Sequence, residues 1–353
     1  MAIKGRTTVY NNITSKEKLE KVDKENLELG EDFLAHLKDI DRAPSTIEQY
    51  RSDLKIFWCW NLEYNNNEKF VRFKRRQFAK FQGFAMNEWG WSPKRIRRVK
   101  STLSSLSNYI ADMLEDEYED FQPIVRKIES PPDEEVREKS VFTWKQLQPL
   151  LDKLVEKKKY QQACWLALAM YGGRRKEETT LFKVSYFTDD CLTNGGALYK
   201  TPEKIRTKGR GKRGKMIQVY TLAKPFKPYL DLWLEERARI VDIETDWLFP
   251  RCEKINGKVV WYDEPFSTTT IDSYAQTFSR MLGRPMNPHC LRHSFTSELL
   301  SNGIPESVVL TIMHWKNLDM VKVYDDRTDD EQLDKYFGAE GIKQVEKKGL
   351  EDL

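Results

Sequence analysis

Cysteine is scarce: five residues in a chain of 353. Cys59, Cys164, Cys191, Cys252 and Cys290 are odd in number and nowhere fall in a CxxC spacing, which argues against a zinc site or a disulfide framework. No cofactor-binding motif is present, so a metabolic enzyme built around a cofactor is not expected, and neither a cofactor nor a metal is. Long apolar runs are missing, so no membrane span is expected. The opening Met1-Ala-Ile-Lys-Gly-Arg6 lacks the apolar core of a signal peptide. These absences lead to the expectation of a reduced, cytoplasmic protein. Repeats of solenoid period are absent too. Net charge is small, +4, although 32% of residues are charged, so overall charge does not establish nucleic-acid binding.

What is present is segregated charge. Lys69, Arg72, Lys74, Arg75, Arg76 and Lys80 crowd one stretch, and Lys94, Arg95, Arg97, Arg98 and Lys100 the next. Glu115, Asp116, Glu117, Glu119 and Asp120 gather elsewhere. Such separation suits a protein with one DNA-facing side. Lys74, Arg75, Arg76, Lys94, Arg95, Arg97 and Arg98 are the candidate DNA contacts there, against the plainer reading of two solvated helix faces. Hydrophobic content of 39% and aromatic content of 12% supply real cores, and the length fits two domains.

Residues 1–26 are a polar lead-in. Residues 27–128 read as a helical domain. Leu29, Phe33, Leu34 and Leu37 fall at helical spacing. Ser45 with Glu48 reads as a capping box for a helix carrying Ile47, Tyr50, Leu54, Phe57 and Trp58. A third helix runs over 70–89, and Ser92-Pro93 opens a fourth. Residues 129–140, with Pro131-Pro132 among charges, form a linker. The second domain, 141–330, opens at the N-cap Thr143 and continues into the apolar helix Ala163–Met170, which ends at Gly172-Gly173. Strand character at Leu198-Tyr199 and Met216–Tyr220 brackets a glycine-rich basic tip, a hairpin whose Arg210, Lys212 and Arg213 are further candidate DNA contacts. Helices resume at 225–238, 267–282, 290–302 and 305–313, and a C-terminal helix and tail follow from 331. The fold class is mainly α: a four-helix domain joined to an α+β domain with a small antiparallel sheet.

Three segments carry chemistry. They are Tyr171-Gly-Gly-Arg174-Arg175-Lys176-Glu177, His289-Cys-Leu-Arg292-His293, and His314-Trp315 with Tyr324 nine residues after the tryptophan. In this order they resemble the catalytic boxes of the tyrosine recombinases, the family of phage integrases and the Xer and Cre recombinases. Ser45-Thr-Ile-Glu-Gln-Tyr50 is similar to the opening of that family's core-binding helix. The resemblance implies a SAM-like core-binding domain followed by a tyrosine-recombinase catalytic domain, in the simpler two-domain layout of Cre and Xer.

It also implies a site-specific recombinase that cuts and rejoins double-stranded DNA through a 3′-phosphotyrosyl intermediate. Guanidinium groups suit the extra negative charge of a phosphorane-like transition state, and Arg174 and Arg292 are the expected pair. His289, one turn before Arg292, shares its face and can accept a proton or donate to a phosphate oxygen. Trp315, whose indole N–H only donates, is the expected phosphate donor, with His314 as its rival. Lys208 is expected to protonate the leaving 5′ oxygen, with Lys212 and Lys215 as alternatives. Glu177 is expected to brace Arg174 or the hairpin. Tyr324 is the expected nucleophile, its phenol among positive charges. Free protein is expected to be monomeric and to form a homotetramer on synapsed DNA, in a bacterial or phage-infected cytoplasm. A repressor that keeps the fold without recombining and a type IB topoisomerase are the rival readings.

Overall fold

The computed structural model describes residues 13–132, 141–209, 214–240, 243–333, 337–338 and 341–342. The chain divides at residues 138–139 into two compact units.

The first unit is helical: α1 (Lys16–Leu19), α2 (Lys24–Asp39), α3 (Pro44–Tyr64), α4 (Arg75–Asn87) and α5 (Pro93–Met113). Local chemistry sets most of the helix starts. Asp23 caps α2 by accepting from the Glu25 and Asn26 amides, and Ser92 caps α5 with Pro93 in the first turn. The start of α3 departs from expectation. Pro44 opens it behind Ala43, so Ser45 lies inside the first turn and caps nothing; Glu48 instead pairs with Arg51. The proline's fixed φ nucleates the turn one residue before the serine. Phe57 centres the core, ringed by Phe70, Phe73, Phe78 and Phe81 at centroid distances of 6.0, 5.6, 6.0 and 5.0 Å. Edge and offset contacts of this kind each add ~0.5–1.5 kcal/mol beyond area burial.

The second unit is built around α7 (Tyr160–Gly172), buried throughout from Ala163 onward. A helix apolar on every side belongs at the centre. α6 (Trp144–Glu156), α9 (Ala223–Ala238) and α11 (Pro288–Ser301) pack on it. Thr143 starts α6 with a capping box to Gln146. α8 (Lys176–Thr179) follows α7 directly.

β1 (Leu192–Thr193), β2 (Leu198–Lys200) and β5 (Tyr220–Leu222) form an antiparallel sheet in the order β1-β2-β5. Nested inside it, β3 (Ile205–Thr207) pairs with β4 (Lys215–Ile217). A second ribbon, β6 (Pro250–Ile255) with β7 (Lys258–Pro265), precedes α10 (Thr268–Leu282). α12 (Glu306–Met313), α13 (Asp319–Tyr324) and α14 (Asp329–Leu333) close the described helices.

Thr328 caps α14, its hydroxyl accepting from the Glu331 amide at 3.1 Å. Phe337 and Gly338 lie in a two-residue strand pairing with Gly341-Ile342. All five cysteines are free thiols. Among the described residues no helix is long and apolar enough to cross a membrane.

Candidate active site

α11 carries the densest chemistry. Asn287 caps it, its side-chain oxygen accepting from the His289 and Cys290 amides at 3.0 and 3.2 Å, and Pro288 occupies the first turn. One turn in, Arg292 is fully buried and donates Nη1 to the Gly173 carbonyl at 2.7 Å. Its Nε and Nη2 are buried with no protein partner. Its guanidinium carbon lies 5.3 Å from the Trp315 ring centre and 5.5 Å from that of Tyr324. Burial, reinforced by the charge of Arg175, pushes the guanidinium down to about 10. A buried cation with open donors and aromatic walls is unfavourable by itself and is relieved by an anion.

Gly173 ends α7 in the left-handed conformation at φ 60°. A Cβ there would stand 2.3 Å from Phe295, so both the turn and the close approach to α11 require glycine. The next two residues diverge. Arg174 points inward, 2% exposed. Its Nε donates to the Gly172 carbonyl at 2.6 Å and its Nη2 to the Ile312 carbonyl at 2.7 Å, pinning the end of α12. Its Nη1 is buried without a partner, and burial, then Arg292, lower the group to about 9.

Arg175 stays partly exposed and donates Nη1 to Glu178 at 2.9 Å and to the Thr207 hydroxyl at 3.2 Å. Its charge acts on both Arg292 and His289. Glu178 is 2% exposed and also accepts from the Thr207 hydroxyl. Burial raises its carboxyl, but Arg174, Thr207 and Arg175 outweigh that and hold it below its ordinary value.

The acid that braces an arginine and the β3–β4 hairpin is therefore Glu178. Glu177, assigned that task from the sequence, is exposed. The cause is the helix end. Because the left-handed turn falls at Gly173, the spacing that joins an arginine to an acid three residues on runs from Arg175 to Glu178.

The third box turns at His314, which ends α12 in the left-handed conformation at φ 53°. His314 stacks on Tyr220 at 6.0 Å, and its Nε2 is buried without a partner. Burial, then Arg174, lower its imidazole below the usual histidine value. The turn directs Trp315 inward, 8% exposed, with its indole nitrogen also partnerless. Trp315 stacks on Tyr324 at 4.8 Å and 26°. Tyr324, at the end of α13, is 6% exposed, and its hydroxyl lies 3.3 Å from His289 Nε2. Partial burial lowers the His289 imidazole, with the charges of His293, Arg292, Arg175 and Lys208 adding to the effect. Lys208 itself follows β3 directly and is exposed.

The structure thus brings together His289, Arg292, Trp315 and Tyr324, with Arg175 and Lys208 in electrostatic reach. Arg174 and His314 lie deeper, beside the end of α12. Arg210, Lys212 and Arg213 lie outside the described residues. Among those described, no three histidine, cysteine or acidic side chains gather as a metal site.

In the first unit, Lys74, Arg75, Arg76 and Lys94 are exposed as a DNA-facing surface requires. Arg95 lies over the Trp91 ring at 4.6 Å. Arg97 and Arg98 are engaged internally. Arg97 donates Nη2 to the Pro131 carbonyl at 2.7 Å, and Arg98 gives Nη2 to Asp53 at 2.6 Å and Nη1 to Gln49 at 3.2 Å.

The phage integrase family model matches residues 140–331. The chain belongs to that family. Membership makes it a tyrosine recombinase, and site-specific recombination is its reaction. It is similar to the SPbeta prophage-derived recombinase-like protein YomM of Bacillus subtilis, with 29% identity over 80% of each chain. It is also similar to a tyrosine recombinase of Thermosipho africanus, at 23% identity over 87% of this chain and 97% of that one. Among solved structures, XerH recombinase bound to its difH substrate shares the fold at a TM-score of 0.61 and 18% identity, over 82% of this chain and 78% of that one. A lambda integrase dimer on a core site does so at 0.60 and 14%, over 96% and 86%. The mainly helical architecture with small antiparallel sheets agrees with these neighbours.

Proposed function

We propose that Tyr324 is the nucleophile of this recombinase and that the pocket around it holds the scissile phosphate of double-stranded DNA. The observation that carries the reading is the set of buried, partnerless donors beside the phenol: Arg292 Nε and Nη2 and Trp315 Nε1. Donors fixed in place before the reaction stabilise charge that develops during it. Arg292 and Arg175 take the non-bridging oxygens, and Trp315 adds a neutral donor. Arg174 holds the end of α12, and with it the turn that carries Trp315.

The Tyr324 oxygen attacks phosphorus while its proton passes to His289 Nε2. The bond to the 5′ oxygen breaks, and Lys208 gives that oxygen a proton. The product is a 3′-phosphotyrosyl link and a free 5′ hydroxyl. The phosphodiester energy is conserved in the link, so a 5′ hydroxyl from a partner duplex reverses the step without a nucleotide cofactor. Lys74, Arg75, Arg76 and Lys94 contribute phosphate contacts, and affinity falls steeply with salt. The protein is a monomer when free and a homotetramer on two synapsed duplexes; the solved lambda integrase tetramer on a Holliday junction supports the DNA-bound assembly alone. It works in a bacterial or phage-infected cytoplasm.

The test uses a duplex selected from a random-sequence pool by binding to the wild-type protein and then nicked to trap cleavage. The wild type gives an adduct that survives denaturing gels. Tyr324→Phe gives none and retains affinity for the duplex. An adduct from the Phe variant overturns the assignment.

A further inference from the structure

One face of α11 does more than present His289. Residues 289, 293 and 297 recur at four-residue spacing and so line one stripe of the helix. All three touch the short segment Tyr324–Asp326. His289 Nε2 meets the Tyr324 hydroxyl at 3.3 Å. The His293 ring lies 4.4 Å from the Tyr324 ring, tilted by 35°, and its Nδ1 is 2.7 Å from an Asp326 carboxylate oxygen. The His293 and Asp326 side chains are 12% and 9% exposed. The Ser297 hydroxyl donates to the Tyr324 carbonyl at 3.3 Å and accepts from the Asp326 amide at 3.0 Å.

The nucleophile is therefore gripped at its hydroxyl, its ring and its backbone by a single helix of its own chain. α13 is a helix of six residues. A segment so short has little stability alone, so its position depends on what holds its end.

We propose that His293 and Asp326 form a latch that positions Tyr324 for attack. Neither residue reacts. His293 packs against the phenol ring and, through its short bond to Asp326, fixes the chain immediately after the nucleophile. The aromatic ring is thereby in contact with both the His293 and Trp315 rings, with its oxygen 3.3 Å from His289 Nε2. Arg327 closes the same turn through its bonds to Asp325 at 2.8 and 2.7 Å. The pair works on the orientation of the attacking oxygen and leaves the phosphate donors untouched. It should therefore govern the rate of the chemical step and not the affinity for DNA. The inference rests on Tyr324 being the nucleophile.

Single-turnover cleavage of the selected nicked duplex separates rate from affinity. His293→Ala and Asp326→Ala should each slow the saturated rate by ~10–100-fold, the scale of a roughly 1 Å misplacement of a reacting group. The protein concentration for half-saturation should stay within about twofold. The double variant should be no slower than the slower single one, since both remove one unit. Asp326→Asn, which keeps the acceptor oxygen, should recover most of the rate.

A purely structural role would lower the melting temperature and leave the saturated rate of folded protein unchanged, which overturns the latch. Loss of affinity at a preserved rate overturns it equally. Should the alanine variants fail to fold, His293→Gln decides: a saturated rate at least threefold slower supports the latch, and a smaller change overturns it. Tyr324→Phe is run alongside. An adduct from that variant removes the nucleophile assignment and the latch together, whereas no adduct with an unchanged His293→Ala rate removes the latch alone.

Discussion

Both units anchor an arginine, and they anchor it differently. In the first unit Arg98 reaches Asp53, whose carboxylate is fully buried and also accepts from the Thr102 hydroxyl at 3.1 Å. Burial still raises that carboxyl, with Arg98 and Thr102 opposing the shift. Charge meets charge there, and the pair ties α3 to α5. In the second unit Arg292 donates to a carbonyl, and its other nitrogens face the Trp315 and Tyr324 rings with no acid among the described residues to pair with. Arg98, facing a buried acid, is a structural tie, whereas Arg292, with open donors beside a phenol, is the group proposed to meet the phosphate. Clustered basic sequence does not distinguish the two cases. The residues each guanidinium meets in the fold do.

The sharpest way to break this comparison is to remove the arginines of the site. Arg292→Ala and Arg175→Ala should each cut cleavage of the selected duplex by ~10²-fold or more, the scale for deleting a preorganised transition-state donor, and Arg175→Ala should also lower folding stability, because it leaves Glu178 buried without its ion-pair partner. Arg174→Ala should show the reverse emphasis. It strands the Gly172 and Ile312 carbonyls, so urea unfolding should report a loss of ~2 kcal/mol or more, with a smaller effect on the saturated cleavage rate. If Arg174→Ala proves the more damaging to catalysis and Arg175→Ala is mild, the assignment of the two adjacent arginines is inverted.

The first unit provides the next contrast. Arg98→Met leaves Asp53 buried without its cation. The expected loss is ~2 kcal/mol, below that of a fully enclosed pair because Arg98 itself still meets water. Denaturant unfolding measures it, and cleavage at saturating protein should be unaffected.

The smallest expected effect concerns pH. In the proposed mechanism a neutral His289 accepts the phenolic proton, and partial burial with neighbouring positive charge lowers its imidazole from the ordinary value. Its neutral form therefore persists into mild acid. The acid limb of the saturated cleavage rate should have its midpoint below ~6.5. A midpoint at or above that value contradicts the geometry around His289.

Much of this was legible in the sequence. The four main helices of the first unit and the all-apolar helix before Gly173 follow from periodicity and caps, and the boxes at His289–Arg292 and Trp315–Tyr324 stood out through their resemblance to the tyrosine recombinases. The sequence preferred Trp315 over His314, and in the structure it is Trp315 that stacks on Tyr324, after the left-handed turn at His314.

In the first box the structure pairs Arg175 with Glu178, where the sequence reading joined Arg174 to Glu177. In Gly172-Gly173-Arg174-Arg175 and Glu177-Glu178, doubled residues of each kind permit two alignments. Only the position of the left-handed glycine, fixed by the close approach of Phe295, selects one. The acidic residues Glu177 and Glu178 look alike in sequence, and burial alone tells them apart. The β6–β7 ribbon was missed although Asn256-Gly257 flanked by Val259, Val260 and Trp261 is a strong hairpin signal. The internal partners of Arg97 and Arg98 were not legible at all, because Pro131 and Asp53 are distant in sequence.

Tyr324, one of fifteen tyrosines, is proposed to form the covalent bond to DNA. Peptide mapping of the trapped adduct by mass spectrometry tests it most directly. The predicted result is a nucleotide attached to the peptide containing Tyr324, through its phenolic oxygen. Attachment to any other residue would contradict the account.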